Sequence, residues 1–309
     1  MLALALAVTL AADGGTADAG TPEPVLAQIK RIAKKAETAP KSPWVKAFMK
    51  SAQQLPAPPK MTVWHSADRK TWLSDADAKL NHKQSDFVQT DVDEELYYSR
   101  IADPLGYMRP LDVLAEQGFD PKGKKVLDLG YGSIGQLKML ASVGAKVTGI
   151  EVHPALPLIY SGEKGVNIVH GYFGQDPTVA KAAGTGFDLW MSKNTLKKGY
   201  VHPDKGTGQI DLGPDDAALA QIHEMLKKGG LFYIYNFGPA PKPDVPMSDI
   251  RCPWSKEQLE KAGFEVLAFD VDDTVKGREA AKLMEWDVGP DGFDVDHDLM
   301  SSYTLARRK

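Results

Sequence analysis

Through the last two-thirds of the chain, short apolar runs alternate with stretches of helical period. Val126 to Leu129 is an apolar run suited to a strand buried on both faces. Leu137, Leu140, Ala141 and Val143 then recur near helical spacing, Gly144 ends that helix, and Lys146 to Ile150 begins a second buried strand. Further strands are expected over Asn167 to Val169, Phe187 to Met191, Leu231 to Tyr235, Phe264 to Phe269 and Ser302 to Ala306. From Asp215 to Lys228 the apolar positions Ala218, Ile222 and Leu226 share a helix face. Acids open this helix, lysines close it and Gly229 stops it. Ser255 with Gln258 forms a capping box before another helix, which Gly263 stops. Strands and helices in alternation predict an α/β, doubly wound sheet.

The first third is patterned differently. Leu2 to Ala12 is an apolar run of signal-peptide length, too short to span a bilayer, and Ala17-Asp18-Ala19 offers a cleavage site, although no basic residue precedes the run. Asp13 to Glu23 reads as a flexible linker. Val25 to Lys35 places Val25, Ile29 and Ile32 on one helix face and Lys30, Arg31, Lys34 and Lys35 on the other. That pattern suits a solvated face or, more sharply, contact with a membrane surface or nucleic acid. Pro56-Ala57-Pro58-Pro59 breaks the chain, and Met61 to Gln89 shows no clear period. The expected division is 1–23 as signal or linker, 24–92 as a partly helical extension and 93–309 as the main domain.

Composition narrows the chemistry. With 309 residues, 43% of them hydrophobic, the chain can bury a sizeable core, and a net charge of -4 gives no reason to expect a polyanionic partner. A single cysteine, Cys252, excludes an internal disulfide framework and a cysteine-based metal cluster. The acids Asp270, Asp272 and Asp273, and Asp291, Asp294, Asp296 and Asp298, are carboxylate groups that would suit a hard cation. The second group lacks EF-hand spacing, so solvated loops are expected and no metal is assigned.

The densest chemistry lies in KKVLDLGYGSIGQLKMLASVGAKVTGIEVHP, Lys124 to Pro154. Gly130, Gly132 and Gly135 form G-x-G-x-x-G, which allows a tight turn, close approach of a ligand to the backbone and close helix packing. Glu151 follows at a strand end, where a carboxylate can accept both hydroxyl protons of a ribose. Dinucleotide oxidoreductases and methyltransferases share this logic. Asp128, two positions before the first glycine, gives D-L-G-Y-G with Tyr131 between the glycines, and this resembles the acidic-x-Gly-x-Gly motif of class I methyltransferases. The resemblance runs from about Tyr97 to the C-terminus and includes the GFDLWMSKNTLKKGY segment. It implies a mostly parallel seven-stranded sheet whose last strand is antiparallel, with a helical N-terminal extension, and S-adenosylmethionine as cofactor.

The resemblance also implies site residues. Asp128, Gly130, Tyr131, Gly132, Gly135 and Glu151 would surround the donor, with Tyr98 and Arg100, and less strongly Arg109, lying over it. Lys193, Asn194, Tyr200 and His202 are the candidates for a base at the fourth strand's end. The segment Ser192-Lys193-Asn194-Thr195 lacks a Pro-Pro-aromatic element and no Pro-Cys nucleophile is present, so a small-molecule or protein acceptor is expected rather than nucleic acid. His170-Gly171-Tyr172 stands where the family often carries an acid near the adenine, and Asp176 comes later. The alternatives are an NAD(P)-dependent oxidoreductase and a non-catalytic donor-binding module. Donor availability favours the cytoplasm and the apolar N-terminus favours export, so both localisations stay open, as does oligomeric state.

Overall fold

The computed structural model describes residues 23–80, 84–99, 102–174, 176–198, 202–203, 210–211, 216–239, 249–286 and 294–309. The apolar N-terminal run and its cleavage site lie outside them.

The N-terminal region begins with helices α1 (Val25–Ala36) and α2 (Pro43–Ser51). Strands β1 (Thr62–His65), β2 (Trp72–Ser74) and β3 (Val88–Asp91) follow, with helix α3 (Asp75–Leu80) between the last two. The three strands form an antiparallel sheet in the order β2-β1-β3. Helices α4 (Glu94–Tyr98) and α5 (Met108–Glu116) lead into the main domain.

There, strands β4 (Lys125–Leu129), β5 (Lys146–Glu151), β6 (Val166–His170) and β7 (Phe187–Lys193) alternate with helices α6 (Ile134–Ser142), α7 (Leu156–Ile159) and α8 (Pro177–Ala183). A two-residue hairpin, β8 (His202–Pro203) with β9 (Ile210–Asp211), precedes helix α9 (Asp216–Met225) and the long strand β10 (Leu226–Pro239). Helix α10 (Lys256–Lys261), strand β11 (Phe264–Asp272), helices α11 (Thr274–Leu283) and α12 (Val295–Asp298) and strand β12 (Leu299–Arg308) complete the chain.

The main sheet has seven strands in the order β11-β12-β10-β7-β4-β5-β6. Strands β4, β5, β6, β7 and β10 pair in parallel, and β12 inserts antiparallel between β10 and β11. The predicted stop at Gly229 is corrected, because α9 already ends at Met225 and Gly229 lies inside β10, while the caps of α6 and α10 hold. Gly144 takes a positive φ of 94° after α6, where a β-carbon would be strained, and Ser255 and Gln258 close a reciprocal capping box on α10.

Strand alternation divides the core into two layers. Leu127, Leu129, Trp190, Phe232 and Ile234 face one way, with α9 and α10 residues such as Ile222 and Leu259. Val126, Leu189, Met191, Tyr233 and Tyr235 face the other, where the first helices also pack.

The amphipathic helix expected over Val25 to Lys35 is α1, and its apolar face packs into that second layer. Leu26, Ile29, Ile32, Ala33 and Ala36 are buried in the same cluster as Phe48, Leu96 and Leu111. Its basic face is also engaged, because Arg31 and Lys35 pair with Glu285 at 2.9 and 3.1 Å. Among the described residues no helix is long and apolar enough to cross a membrane.

Candidate functional site

In an open parallel sheet, ligands settle beyond the carboxyl ends of the strands where the connections change direction. Here that point lies between β4 and β7, since β4 connects onward to β5 on one side and pairs with β7 on the other. The glycine loop leaves β4 at this place, and Gly130 and Gly132 hold φ of 73° and 63°.

Parity brings the charged residues together. Asp128 stands opposite Met191 in the pairing of β4 with β7, so Lys193, two residues further on, belongs to the same face of the sheet. Asp128 is fully buried. Neither of its carboxylate oxygens has a hydrogen-bond partner, and the buried hydroxyls of Tyr107 and Tyr131 also lack one. Gln136 gives one amide hydrogen to the Tyr131 carbonyl and accepts from the Ser133 hydroxyl, and its second amide hydrogen and the Tyr107 hydroxyl lie near enough to Asp128 to favour its charged form. Burial pushes the Asp128 carboxyl up to about 7, against the opposing pull of nearby Tyr107, Gln136 and Lys193.

Lys193 ends β7 almost completely buried, with its ammonium 5.0 Å from the centre of the Tyr107 ring. Burial lowers its pKa, and Asp103 and then Asp128 oppose the shift. Asp103 is itself anchored, accepting from the Leu105 amide at 2.9 Å and the Trp286 indole at 2.9 Å.

Glu151 at the end of β5 is equally buried but fully occupied. Its carboxylate accepts from the amides of Gly132 at 3.1 Å, Val152 at 2.8 Å and His153 at 3.2 Å. Burial still raises its pKa, with those three amides opposing. Two carboxylate oxygens offer about four acceptor positions, so three bonds leave room for about one more.

Several expected residues have other duties. A β-carbon on Gly130 would lie 1.8 Å from the Thr195 hydroxyl, so Thr195 of the same chain covers that glycine. Gly135 keeps α6 against Pro104, which a β-carbon would approach to 2.8 Å. The Tyr98 hydroxyl donates to the Pro56 carbonyl at 2.7 Å, making it a core residue and not a donor contact. Arg109 makes a buried two-point contact with Asp273, at 2.7 and 2.8 Å, which spends it on the fold. The Asn194 amide nitrogen donates to Tyr235 O at 3.1 Å and Asn236 Oδ1 at 3.0 Å, and its side-chain oxygen accepts from the Phe237 amide at 2.6 Å. Asn194 therefore holds the turn and is no base. Arg100 and Tyr200 lie outside the described residues, and His202 is described only as backbone of β8.

The remaining candidates also settle into structural roles. Cys252 is buried, and burial pushes its thiol up to about 12, which removes it as a nucleophile. Asp176 caps α8. Asp270 and Asp272 accept from the amides of Cys252 and Thr274. Among the described residues no group of three or more His, Cys, Asp or Glu is placed to hold a metal.

Tyr107, Asp103, Thr195, Lys197 and Trp286 lie around Asp128, Lys193 and the glycine loop and carried no individual signal in the sequence. Trp72 of β2 also reaches this region, with its ring 5.8 Å from that of His153 beside Glu151.

The strand order decides the fold type, because an antiparallel last strand inserted beside the fifth main-sheet strand is the arrangement the motifs imply. The fold is that of the class I methyltransferases. No family model and no curated protein matches the sequence. Among solved structures, the phosphoethanolamine N-methyltransferase 2 of Haemonchus contortus aligns at 13% identity, covering 87% of this chain and 74% of that one with a TM-score of 0.43. The geranyl diphosphate C-methyltransferase of Streptomyces coelicolor A3(2) aligns at 12% identity, covering 65% and 80%, with a TM-score of 0.42. The cyclase SpnF aligns at 17% identity, covering 90% and 95%, with a TM-score of 0.44.

Proposed function

We propose that this protein binds S-adenosylmethionine at the glycine loop and transfers its methyl group to a small acceptor. The observation that carries this reading is Asp128, a fully buried carboxylate with no hydrogen-bond partner for either oxygen, at the foot of a loop built on two positive-φ glycines. Burial without a hydrogen bond costs such a group several kcal/mol, which Lys193 offsets only in part, since burial still holds the carboxyl up at about 7, and which a ligand cation would offset further. The donor carries an ammonium of that kind.

In this reading Asp128 receives the ammonium, the amides at the start of α6 receive the carboxylate, and Glu151 uses its one open position for a ribose hydroxyl. The bound donor supplies a methyl on a sulfonium, transferred to the acceptor while the sulfur keeps the S–C bonding pair. Lys193 in its neutral form accepts the proton that an acceptor loses, with Asp103 and Asp128 drawing the resulting ammonium back into place. Water exclusion and alignment supply the rest of the acceleration. An NAD(P)-dependent oxidoreductase is disfavoured by the strand order and by Asp128.

Thr195 lying over Gly130 supports a second reading, in which the protein keeps a donor site but carries out no transfer. Calorimetry with S-adenosylhomocysteine and with NADH decides the cofactor: the first should bind and the second should not, and the reverse result refutes the proposal. Methyl release from isotopically labelled donor onto a broad acceptor panel then separates enzyme from binding module.

A further inference from the structure

Lys193 and Lys197 sit on one rigid turn, and only one of them is electrostatically accounted for. The turn is fastened from both sides. Leu196 donates its amide to the Ser192 hydroxyl at 3.2 Å, and the Asn236 side-chain amide donates to the carbonyls of Leu196 and Ile250, each at 2.9 Å. Together with the three bonds of Asn194, these fix where both lysines start.

Lys193 has the carboxylates of Asp103 and Asp128 to balance it and the face of Tyr107 beneath it. Lys197 has one hydrogen bond, to the Phe237 carbonyl at 3.1 Å, which leaves two N–H donors with no acceptor among the described residues. Burial, and then repulsion from Lys193, lower its pKa to about 8, so it is still mainly a cation at neutral pH.

Two aromatic rings meet at the same strand end. Phe237 meets Trp286 edge to face at 5.3 Å, and the Trp286 indole is held by Asp103. A cation lacking a described carboxylate and this aromatic pair therefore share the carboxyl ends of β7 and β10.

We propose that the methyl acceptor is an amphipathic anion, with its apolar body against Phe237 and Trp286 and its carboxylate or phosphoryl group received by Lys197. This rests on the methyl-transfer reading above for the word acceptor, while the anion site itself stands on the turn and its lysines. Isothermal calorimetry on the full chain tests it with phenylacetate and phenyl phosphate as probes, and 2-phenylethanol and phenethylamine as neutral and cationic controls. Each is titrated with and without saturating S-adenosylhomocysteine.

The expected result is that one of the anions binds about tenfold or more tightly than both controls, and the better of the two names the anionic group. Lys197→Met should weaken that anion by about tenfold or more, Lys197→Arg should recover part of the loss, and S-adenosylhomocysteine affinity should stay within about twofold of wild type. Equal binding of a control, no anion binding up to about 10 mM, or an unchanged anion affinity in folded Lys197→Met each overturns the proposal. If S-adenosylhomocysteine fails to bind, the methyl-transfer reading falls, and the titrations without it still decide the anion site.

Discussion

At the end of β5, Glu151 is buried and accepts three backbone amides; at the end of β4, Asp128 is buried and accepts none. Both acids flank the same glycine loop and both have raised pKa values because of burial. The difference shows how a strand-end acid divides into two jobs. Glu151 ties Gly132 to the β5 end and so shapes the loop, whereas Asp128 holds no backbone amide and has Tyr107, Gln136 and Lys193 as its polar neighbours.

The largest effect should come from the structural acid. Glu151→Ala leaves three amides without their acceptor and should cost about 3 to 5 kcal/mol of stability, given roughly 1 to 3 kcal/mol per buried unsatisfied group and partial relief by water. Urea denaturation measures it, and a loss below about 1 kcal/mol would mean that the loop does not depend on Glu151.

The loop itself comes next. Gly130→Ala must place a β-carbon at φ 73° against Thr195, at a cost of roughly 2 to 4 kcal/mol. The double variant Gly130→Ala with Thr195→Gly should recover the steric part and leave the backbone strain. No recovery would show that the Thr195 contact is unimportant.

Asp128→Asn should have a small effect. Removing the buried charge relieves its desolvation but takes a counter-charge from Lys193, so stability should stay within about 1 kcal/mol of wild type. A loss comparable to that of Glu151→Ala would erase the distinction between the two acids.

The smallest effect is in the pH curve. The Asp128 carboxyl rises from 3.8 to about 7 on folding, so the unfolded chain gives up this proton first. Its contribution is complete below about pH 4 and is lost as pH rises through about 7. Asp103 and Glu151 shift in the same direction. The wild-type minus Asp128→Asn difference isolates this one group. Thermal melts from pH 4 to about 8 should show wild type losing ground to the variant, and a flat difference would remove the buried charge from the account.

Much of the donor half was legible in the sequence, because each of its signals is local. Val126 to Leu129 must be a buried run, Gly144 must carry the positive φ after α6, and Glu151 must end β5 for the unit to close. Long-range pairings were not legible. Arg109 meets Asp273 across 164 positions of sequence, and that contact turned a donor candidate into a core ion pair. The antiparallel β1, β2 and β3 were missed because they are three or four residues long and β3 is largely exposed, so no apolar period develops. Lys197 looked like one of many surface lysines, and only the fastening of its turn by Asn194 and Asn236 brings it beside Phe237.

The central claim is that Asp128 faces the donor. Calorimetric titration of S-adenosylhomocysteine into wild type and Asp128→Asn tests it most directly, with a melt run on each sample. The account predicts affinity weakened by about tenfold or more, the scale of a lost charged hydrogen bond, in a variant that stays folded. Unchanged affinity in folded Asp128→Asn would contradict it.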